Sequence, residues 1–139
     1  MTDDLLYLDS SALVKLVLPE VETAGLIAFL ATWTALIASD LARVEVLRAV
    51  RRIGPDRATV ERAEAVLNSV AMIPIDGVVL DAAANVEPAA LRSLDAIHLA
   101  TALTVQTDLA GPVTYDARLA EAARRAGIQV YAPGAVGAH

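Results

Sequence analysis

The chain contains no cysteine, one lysine, one phenylalanine and one tryptophan among its 139 residues. Without cysteine the protein cannot form disulfides, thiolate metal centres or a cysteine nucleophile. Disulfide-stabilised folds and cysteine hydrolases are therefore excluded. The absence of cysteine is also compatible with a reducing compartment, and we expect the protein in the cytoplasm.

The sequence also lacks a long apolar segment and a basic N-terminus. The strongest candidate for a membrane span is the uncharged stretch 23–39, but Thr32 and Thr34 interrupt it, and a helix needs roughly 20 mainly apolar residues to cross a bilayer. The first residues, Met-Thr-Asp-Asp, are acidic where a secretory signal is basic. We therefore expect no membrane partner and no export.

Positive charge is scarce as well, since 11 basic residues face 17 acidic ones and the net charge is −6. This balance argues against a protein that coats nucleic acid by bulk electrostatics. Clustering leaves a local basic face open as an alternative to an ordinary solvated helix face. Five of the arginines fall within one short segment: Arg43, Arg48, Arg51, Arg52 and Arg57.

Apolar content of 56% and the length of the chain indicate one globular domain, which we place at residues 1–133, followed by a short C-terminal tail, 134–139. Short apolar runs alternate with segments of helical spacing, which predicts a parallel sheet with helices on both faces. The predicted strands are 5–8, 32–38, 70–75, 112–115 and 128–131, and the predicted helices are 10–18, 21–31, 39–52, 56–67, 78–85, 93–105 and 116–126.

Four acids lie inside or beside apolar patterns: Asp9, Glu45, Asp95 and Asp116. Asp9 and Asp116 follow predicted strands, and ligands of open α/β sheets bind beyond the carboxyl ends of the strands. Asp95 lies in the first turn of a helix with Ser93 as its predicted cap, whereas Glu45 is about six residues into its helix. Taken singly, each acid can instead cap a helix, complement a helix dipole or pair with an arginine.

Convergence of these carboxylates would require compensation, because each like-charge pair about 4 Å apart costs roughly 4 kcal/mol at an effective dielectric of 20. Protonation, a nearby arginine or a divalent cation could supply it. Oxygen ligands without cysteine favour Mg²⁺ or Mn²⁺, a site suited to phosphodiester hydrolysis. The arginines nearest in sequence to these acids, and hence candidate phosphate contacts, are Arg43, Arg92 and Arg118.

Four segments that contain these acids resemble the motifs of PIN-domain nucleases, and most closely those of VapC-type toxins of toxin–antitoxin pairs. The segments are YLDSSALVKL (7–16), SDLARVEVLRA (39–49), LRSLDAIHLATA (91–102) and VTYDARLAEAARRAG (113–127). The resemblance runs nearly end to end. It implies a three-layer α/β/α sandwich with a central parallel sheet.

The resemblance further implies a Mg²⁺- or Mn²⁺-dependent endoribonuclease that cleaves RNA, is dimeric and is held inactive by a cognate VapB-type antitoxin. By this resemblance Asp9, Glu45, Asp95 and Asp116 are the catalytic and metal-binding residues. Ser10 and Thr114 are then supporting polar residues.

Two other features have a functional and a structural interpretation. His98 is three residues from Asp95 and shares its helical face, but a buried histidine that is hydrogen bonded to a neighbour is the commoner arrangement. Phe29 and Trp33 lie in an apolar segment that favours core packing, with a partner or dimer face as the alternative.

Two rival functions remain open. An aspartyl-phosphate phosphatase also uses an acid after the first strand, but it expects a second aspartate two residues later, where this chain has Ser11, and a lysine near the late acids, whereas Lys15 is the only lysine. The non-enzymatic alternative is an interaction module that keeps the PIN fold and the acidic pocket without chemistry.

Overall fold

The protein is described by a computed structural model over residues 4–54 and 56–135. Within this part of the chain, two helices follow each of the first three strands, and one helix follows the fourth. The strands are β1 (Leu5–Leu8), β2 (Ala35–Ser39), β3 (Ala71–Ile73) and β4 (Leu109–Val113). The helices are α1 (Ser10–Val17), α2 (Thr23–Leu30), α3 (Leu41–Ile53), α4 (Arg57–Asn68), α5 (Gly77–Asn85), α6 (Ser93–Leu103) and α7 (Ala117–Arg125).

The strands form one parallel sheet in the order β3-β2-β1-β4. In the registers, Leu6 of β1 lies opposite Leu36 of β2, and Ile37 of β2 lies opposite Ala71 of β3. β1 is central and buried, as expected for a parallel sheet that is covered on both faces. All four strands therefore point their carboxyl ends to the same edge.

Helices cover both faces of the sheet. Successive side chains of a strand alternate between faces, so Leu6 and Leu8 enter the core that α1, α3 and α4 share, whereas Tyr7 packs with Ala102 of α6 on the opposite face. Helices α1, α3 and α4 contact one another, and α6 contacts α5 and α7. The predicted three-layer α/β/α sandwich is confirmed.

The predicted fifth strand, 128–131, is wrong as a strand, since only Tyr131 forms a parallel bridge, to Val113. Its amide donates to the carbonyl of Pro112, and its carbonyl accepts from Thr114 N, both at 3.0 Å. The next bond of this ladder would run from residue 112 to the carbonyl of Gln129, but proline has no N–H. The pairing therefore stops after one bridge.

The predicted third strand, 70–75, shortens to the three residues of β3. Pro74 follows β3 directly, and a proline cannot donate to a sheet ladder. Of the predicted tail, Gly134 lies against the backbone of Glu22, with φ of 78°. Positions 136–139 of that tail lie outside the described residues.

Four helices begin after an aspartate whose carboxylate accepts a hydrogen bond from a first-turn amide, which satisfies part of the helix end. These residues are Asp9, Asp56, Asp76 and Asp116. Ser39 also accepts a bond, from Leu41 N at 3.1 Å. The predicted Ser93 cap is wrong: Arg92 is the last extended residue (φ −62°, ψ 146°), so Ser93 already belongs to α6.

None of the helices within 4–54 and 56–135 has both the length and the hydropathy of a bilayer-spanning segment.

Candidate active site

Asp9, Glu45, Asp95 and Asp116 line a single cavity of about 310 Å³. We call it the acid cavity. Asp9 follows β1 and Asp116 lies shortly after β4, while Glu45 and Asp95 come from α3 and α6. The parallel topology brings these elements together at the carboxyl edge of the sheet. The cavity is completed by Ser10, Ser11, Arg92, Ser93, Leu94 and His98.

Asp9 is the most buried of the four acids, with 3% of its surface exposed. Its Oδ1 accepts hydrogen bonds from Ala12 N at 3.0 Å and from the Ser11 hydroxyl at 2.7 Å, and its Oδ2 accepts from the Thr114 hydroxyl at 2.5 Å. Burial raises the pKa of the Asp9 carboxyl, and these hydrogen bonds offset only part of that effect. A nearby cation would therefore favour its ionised form.

The hydroxyls around Asp9 also tie two strand ends together. Ser11 Oγ accepts from Tyr115 N at 2.9 Å, and Thr114 Oγ1 accepts from Asp116 N at 3.0 Å. Thr114 is thus bonded both to Asp9 and to the backbone of Asp116. The hydrogen bonds fix the position of the first acid relative to the fourth.

Glu45 is held by a different set of donors. Its Oε1 accepts from the Ser10 hydroxyl at 2.5 Å and lies 2.7 Å from His98 Nε2. On the other side of the ring, His98 Nδ1 lies 2.7 Å from the Tyr7 hydroxyl. Partial burial by itself would raise the pKa of Glu45, but the hydrogen bonds from His98 and Ser10 outweigh it and lower the pKa.

One tautomer of a neutral imidazole satisfies both contacts of His98. Burial, followed by the charges of Asp9 and Glu45, raises the pKa of Tyr7 well above its usual range, so its phenol keeps the proton and donates to Nδ1. Nε2–H then donates to Glu45. His98 is 3% exposed, which is the buried, hydrogen-bonded histidine that the sequence favoured.

Asp95 and Asp116 share a single counterion, Arg92. Its Nε donates to Asp95 Oδ2 at 3.2 Å and its Nη2 donates to Asp116 Oδ2 at 3.1 Å. Asp116 Oδ1 also caps α7 by accepting from Leu119 N at 3.0 Å. Of the ways to relieve repulsion between these two acids, the structure therefore uses an arginine.

The acid cavity fits a hard divalent cation by its donors. As the side chains stand, no three histidine, aspartate or glutamate residues of 4–54 and 56–135 form a ready-made cation cluster. Mg²⁺, however, needs only one or two carboxylates and keeps several waters. Carboxylate and hydroxyl oxygens around one cavity of about 310 Å³ provide that donor set.

The three arginines predicted as phosphate contacts have different positions. Arg92 lines the acid cavity. Arg43 pairs with Asp40 at 3.4 Å, and both side chains are about half exposed (54% and 43%). Arg118 is exposed in the first turn of α7 and does not line the acid cavity. Only Arg92 can therefore reach a group inside the cavity without a large movement.

Sequence reasoning missed the contribution of Tyr7 and understated that of Ser11. A signal for Tyr7 existed, because residues two apart in a strand share a face, which directs Tyr7 and Asp9 toward the same side. Its partner His98 is 91 positions away, and no local pattern predicts that contact. Ser10, predicted beside Asp9, is instead bonded to Glu45.

Phe29 and Trp33 pack with Tyr131 at ring-centroid distances of 5.2 and 6.2 Å, respectively. All three rings are half-buried against the core on the α1 side of the sheet. This packing agrees with the interpretation of the segment as part of the core.

Comparison with known proteins identifies the family. The PIN domain family matches residues 6–125. Ribonuclease VapC47 of Mycobacterium tuberculosis is 40% identical over 136 residues, which cover 95% of this chain and 99% of VapC47. Ribonuclease VapC46 of the same species is 44% identical over 129 residues, which cover 92% and 97%.

A solved toxin–antitoxin complex from Klebsiella pneumoniae contains a chain of the same fold, with a TM-score of 0.64 and 20% identity over 80% of this chain and 86% of that chain. The family match, the extent of the two sequence relatives and the shared fold agree. The chain therefore belongs to the PIN-domain family, among its VapC-type members.

Proposed function

We propose that the protein is a Mg²⁺- or Mn²⁺-dependent endoribonuclease that hydrolyses RNA phosphodiester bonds and acts as the toxin of a type II toxin–antitoxin pair. The observation that carries the proposal is the acid cavity, in which four carboxylates from four different elements line one space. The names of the relatives, which are called ribonucleases, support RNA as the substrate class.

In this proposal Asp9, Glu45, Asp95 and Asp116 hold the cation. When bound, it supplies Lewis-acid chemistry: it activates water as a nucleophile and stabilises charge on the phosphate and on the leaving oxygen. The protein contributes the positions of the carboxylates. Ser11 and Thr114 hold Asp9, and Ser10 and His98 hold Glu45.

Arg92 has two roles in the proposed mechanism. Without substrate it neutralises Asp95 and Asp116. Its side chain is 61% exposed, whereas those of Asp95 and Asp116 are 13% and 25% exposed. Leaving them gives up two partly exposed ion pairs, each worth about 0.2–1 kcal/mol. A guanidinium released in this way is close enough to bind a phosphate oxygen of the substrate.

We also propose that a cognate VapB-type antitoxin holds the protein inactive, that the protein is a homodimer, and that it works in the cytoplasm. The antitoxin proposal is supported by the fold shared with a chain of a toxin–antitoxin complex. Co-purification with the product of an adjacent gene tests the antitoxin. Light scattering tests the dimer, for which a mass of about twice the 14.5 kDa of the chain is expected.

The rival phosphatase receives no support from the site. Ser11, where a second aspartate would be needed, bonds to Asp9 and to Tyr115 N. The Lys15 ammonium is paired with Glu20 at 3.3 Å and Glu22 at 3.1 Å. Lys15 is therefore engaged away from the four acids.

Cleavage of a mixed RNA pool tests the proposed activity. The wild type should cut RNA in Mg²⁺ or Mn²⁺ and not in EDTA, and Asp95→Asn should lose the activity. Asp76→Asn is the matched control, because Asp76 caps α5 outside the acid cavity and asparagine is an equally good cap. A wild type that cuts no RNA would instead support the non-catalytic interaction module.

A further inference from the structure

A second cavity of about 750 Å³ adjoins the acid cavity and shares part of its lining, namely Ser10, Ser11, Glu45 and Leu94. We call it the arginine groove, after Arg48 and Arg52 of α3, which line it. The two cavities form a continuous depression, because the same four residues border both. The arginine groove is not needed to hold the four acids, so its composition calls for another explanation.

The positive charge of the groove is aligned with the site. Arg48 and Arg52 are three and seven residues after Glu45, so all three side chains lie on nearly the same face of α3. At 1.5 Å per residue, Glu45 and Arg52 are about 10 Å apart along the helix axis. Arg51 lies next to both arginines.

These arginines have no acidic partner in the part of the chain that the structure describes. The ion pairs formed by residues 4–54 and 56–135 involve neither Arg48, Arg51 nor Arg52. All three are exposed. By contrast, Arg43 of the same helix is paired with Asp40. The groove thus presents guanidinium groups that are free to bind an anion.

The other charged side chains of the groove already have partners. Glu20 lines it, but its carboxylate is paired with Lys15 at 3.3 Å. Glu45 points to Ser10 and His98 at the border with the acid cavity. Apolar surface flanks the arginines, since Val44 is 57% exposed and Leu94 is 49% exposed. This combination suits a chain that carries regular negative charge and flat apolar groups.

We propose that Arg48 and Arg52 bind backbone phosphates of the RNA strand on one side of the scissile bond, so that the strand leaves the acid cavity along α3. The inference rests on the proposed ribonuclease function. A length of about 10 Å corresponds to roughly three nucleotides at the ~3.4 Å rise of a base-stacked strand. Val44 and Leu94 are placed to contact the bases or riboses of these nucleotides.

RNA fits this path better than a protein segment does. A peptide that neutralised the acid cavity would carry basic side chains, and Arg48 and Arg52 would repel such charges next to it. A phosphodiester that reacts in the acid cavity must continue as phosphate backbone on both sides. The groove with unpaired arginines begins within one helical turn of Glu45.

The test compares two double variants that remove the same charge. Arg48→Gln/Arg52→Gln changes the groove, whereas Arg124→Gln/Arg125→Gln changes the last turn of α7, at the end opposite to Asp116. Each is combined with Asp95→Asn to prevent cleavage. Binding of a fluorescein-labelled single-stranded RNA is measured by anisotropy in Mg²⁺ at several salt concentrations.

The groove variant should bind RNA about tenfold more weakly or worse, and its plot of log affinity against log salt should be less steep by about 1.4, because each phosphate contact to a single strand contributes about 0.7. The α7 variant should change affinity less than about twofold and leave the slope unchanged. Arg48→Lys/Arg52→Lys should retain the slope because it keeps both charges. Equal effects of the two glutamine variants would overturn the proposal and leave the groove to a protein partner.

Cleavage assays of the same two double variants without Asp95→Asn distinguish the proposed RNA path from the proposed ribonuclease function. The groove variant should raise KM with little change in kcat. If the wild type cuts RNA and Asp95→Asn does not, while the groove variant behaves like the α7 variant, only the RNA path is wrong. If the wild type neither binds nor cuts RNA in Mg²⁺ or Mn²⁺, both proposals are wrong.

Discussion

Asp9 is a buried carboxylate whose three hydrogen-bond donors do not fully compensate its burial. We expect Asp9→Asn to fold, because asparagine caps a helix as well as aspartate does and its amide fits the same space. Mn²⁺ should raise the melting temperature of the wild type and not that of the variant, since a ligand at 100 times its Kd stabilises by about 2.7 kcal/mol.

Differential scanning fluorimetry in EDTA and in Mn²⁺ measures the melting temperatures of the wild type and of Asp9→Asn, and hence both the folding of the variant and the Mn²⁺ shift. Asp56→Asn is the control, because Asp56 caps α4 outside the acid cavity. An equal Mn²⁺ shift in Asp9→Asn and in the wild type would show that Asp9 does not hold the ion.

In the proposed site His98 acts by positioning Glu45, whose Oε1 lies 2.7 Å from its Nε2. His98→Ala removes the donor at 2.7 Å from Glu45 and the acceptor of the Tyr7 hydroxyl. Loss of groups that orient a metal ligand typically costs 10–100-fold in metal affinity or activity. We therefore expect the Mn²⁺ concentration for half-maximal cleavage to rise by about 10–100-fold in His98→Ala.

Tyr7→Phe is the conservative comparison, because it keeps the ring and removes only the contact with His98 Nδ1. It should raise the Mn²⁺ requirement less than His98→Ala does. An unchanged Mn²⁺ requirement in His98→Ala, with activity reduced only through unfolding, would reduce His98 to a packing role.

Arg92 competes with any cation for Asp95 and Asp116. Arg92→Gln should therefore bind Mn²⁺ more tightly than the wild type, by about 2- to 30-fold, because it removes two ion pairs that are each worth about 0.2–1 kcal/mol. Its cleavage rate should nevertheless fall, since the guanidinium is no longer present to bind phosphate. Isothermal titration with Mn²⁺ checks the first expectation, and weaker Mn²⁺ binding by the variant would contradict it.

Strand β4 passes close to the backbone of the segment after α7, and the contact is between Gly111 and Gln129. A Cβ added at Gly111 would lie 2.1 Å from the carbonyl oxygen of Gln129. Gly111→Ala should therefore displace the segment after α7 and destabilise the protein by about 1–3 kcal/mol, as overpacked cores do. Urea unfolding followed by circular dichroism measures the change.

Gly77→Ala is the matched control for Gly111→Ala. Gly77 is the first residue of α5, and a Cβ added there meets nothing within 4 Å. Its stability should stay equal to that of the wild type or rise, because alanine is the better helix former. If both variants were equally stable, the contact between β4 and Gln129 would not constrain the fold.

The order of helices and strands was predictable because each element carries its own periodicity and its own stop signals. Helix α4 begins after Asp56, and α3 ends at Gly54 with φ of 80°, as a glycine permits. The end of the pairing at Tyr131 was not predictable, because it depends on which residue of β4 lies opposite Gln129. The missing N–H of Pro112 matters only once that register is known.

At the scale of the molecule, the gathering of the four acids follows from topology. Parallel strands place Asp9 and Asp116 at one edge, and a sequence pattern can predict that placement. The cap donors of Asp9 and Asp116 are local, but the distant donors could not be predicted. Arg92 bridges Asp116, which is 24 positions away, and Thr114 bonds Asp9 from 105 positions away. Such contacts depend on how the layers pack.

The net charge of −6 describes the whole chain and says little about the site. The acid cavity concentrates four carboxylates, while the arginine groove beside it holds Arg48 and Arg52. Glu45 is separated from Arg48 and Arg52 by only a few residues of α3. An acidic protein can in this way offer a local basic surface to a polyanion. The clustering of arginines in the sequence pointed to a local basic surface, but their alignment with Glu45 required the helix.

Cleavage of RNA by single variants of the four acids tests the central claim most directly. Asp9→Asn, Glu45→Gln, Asp95→Asn and Asp116→Asn should each lower kcat/KM in Mn²⁺ by at least about 100-fold, which corresponds to about 2.7 kcal/mol. Asp56→Asn and Asp76→Asn, which cap helices outside the acid cavity, should cleave like the wild type. Cleavage that survives in the first four variants, or that persists in EDTA, would contradict the account.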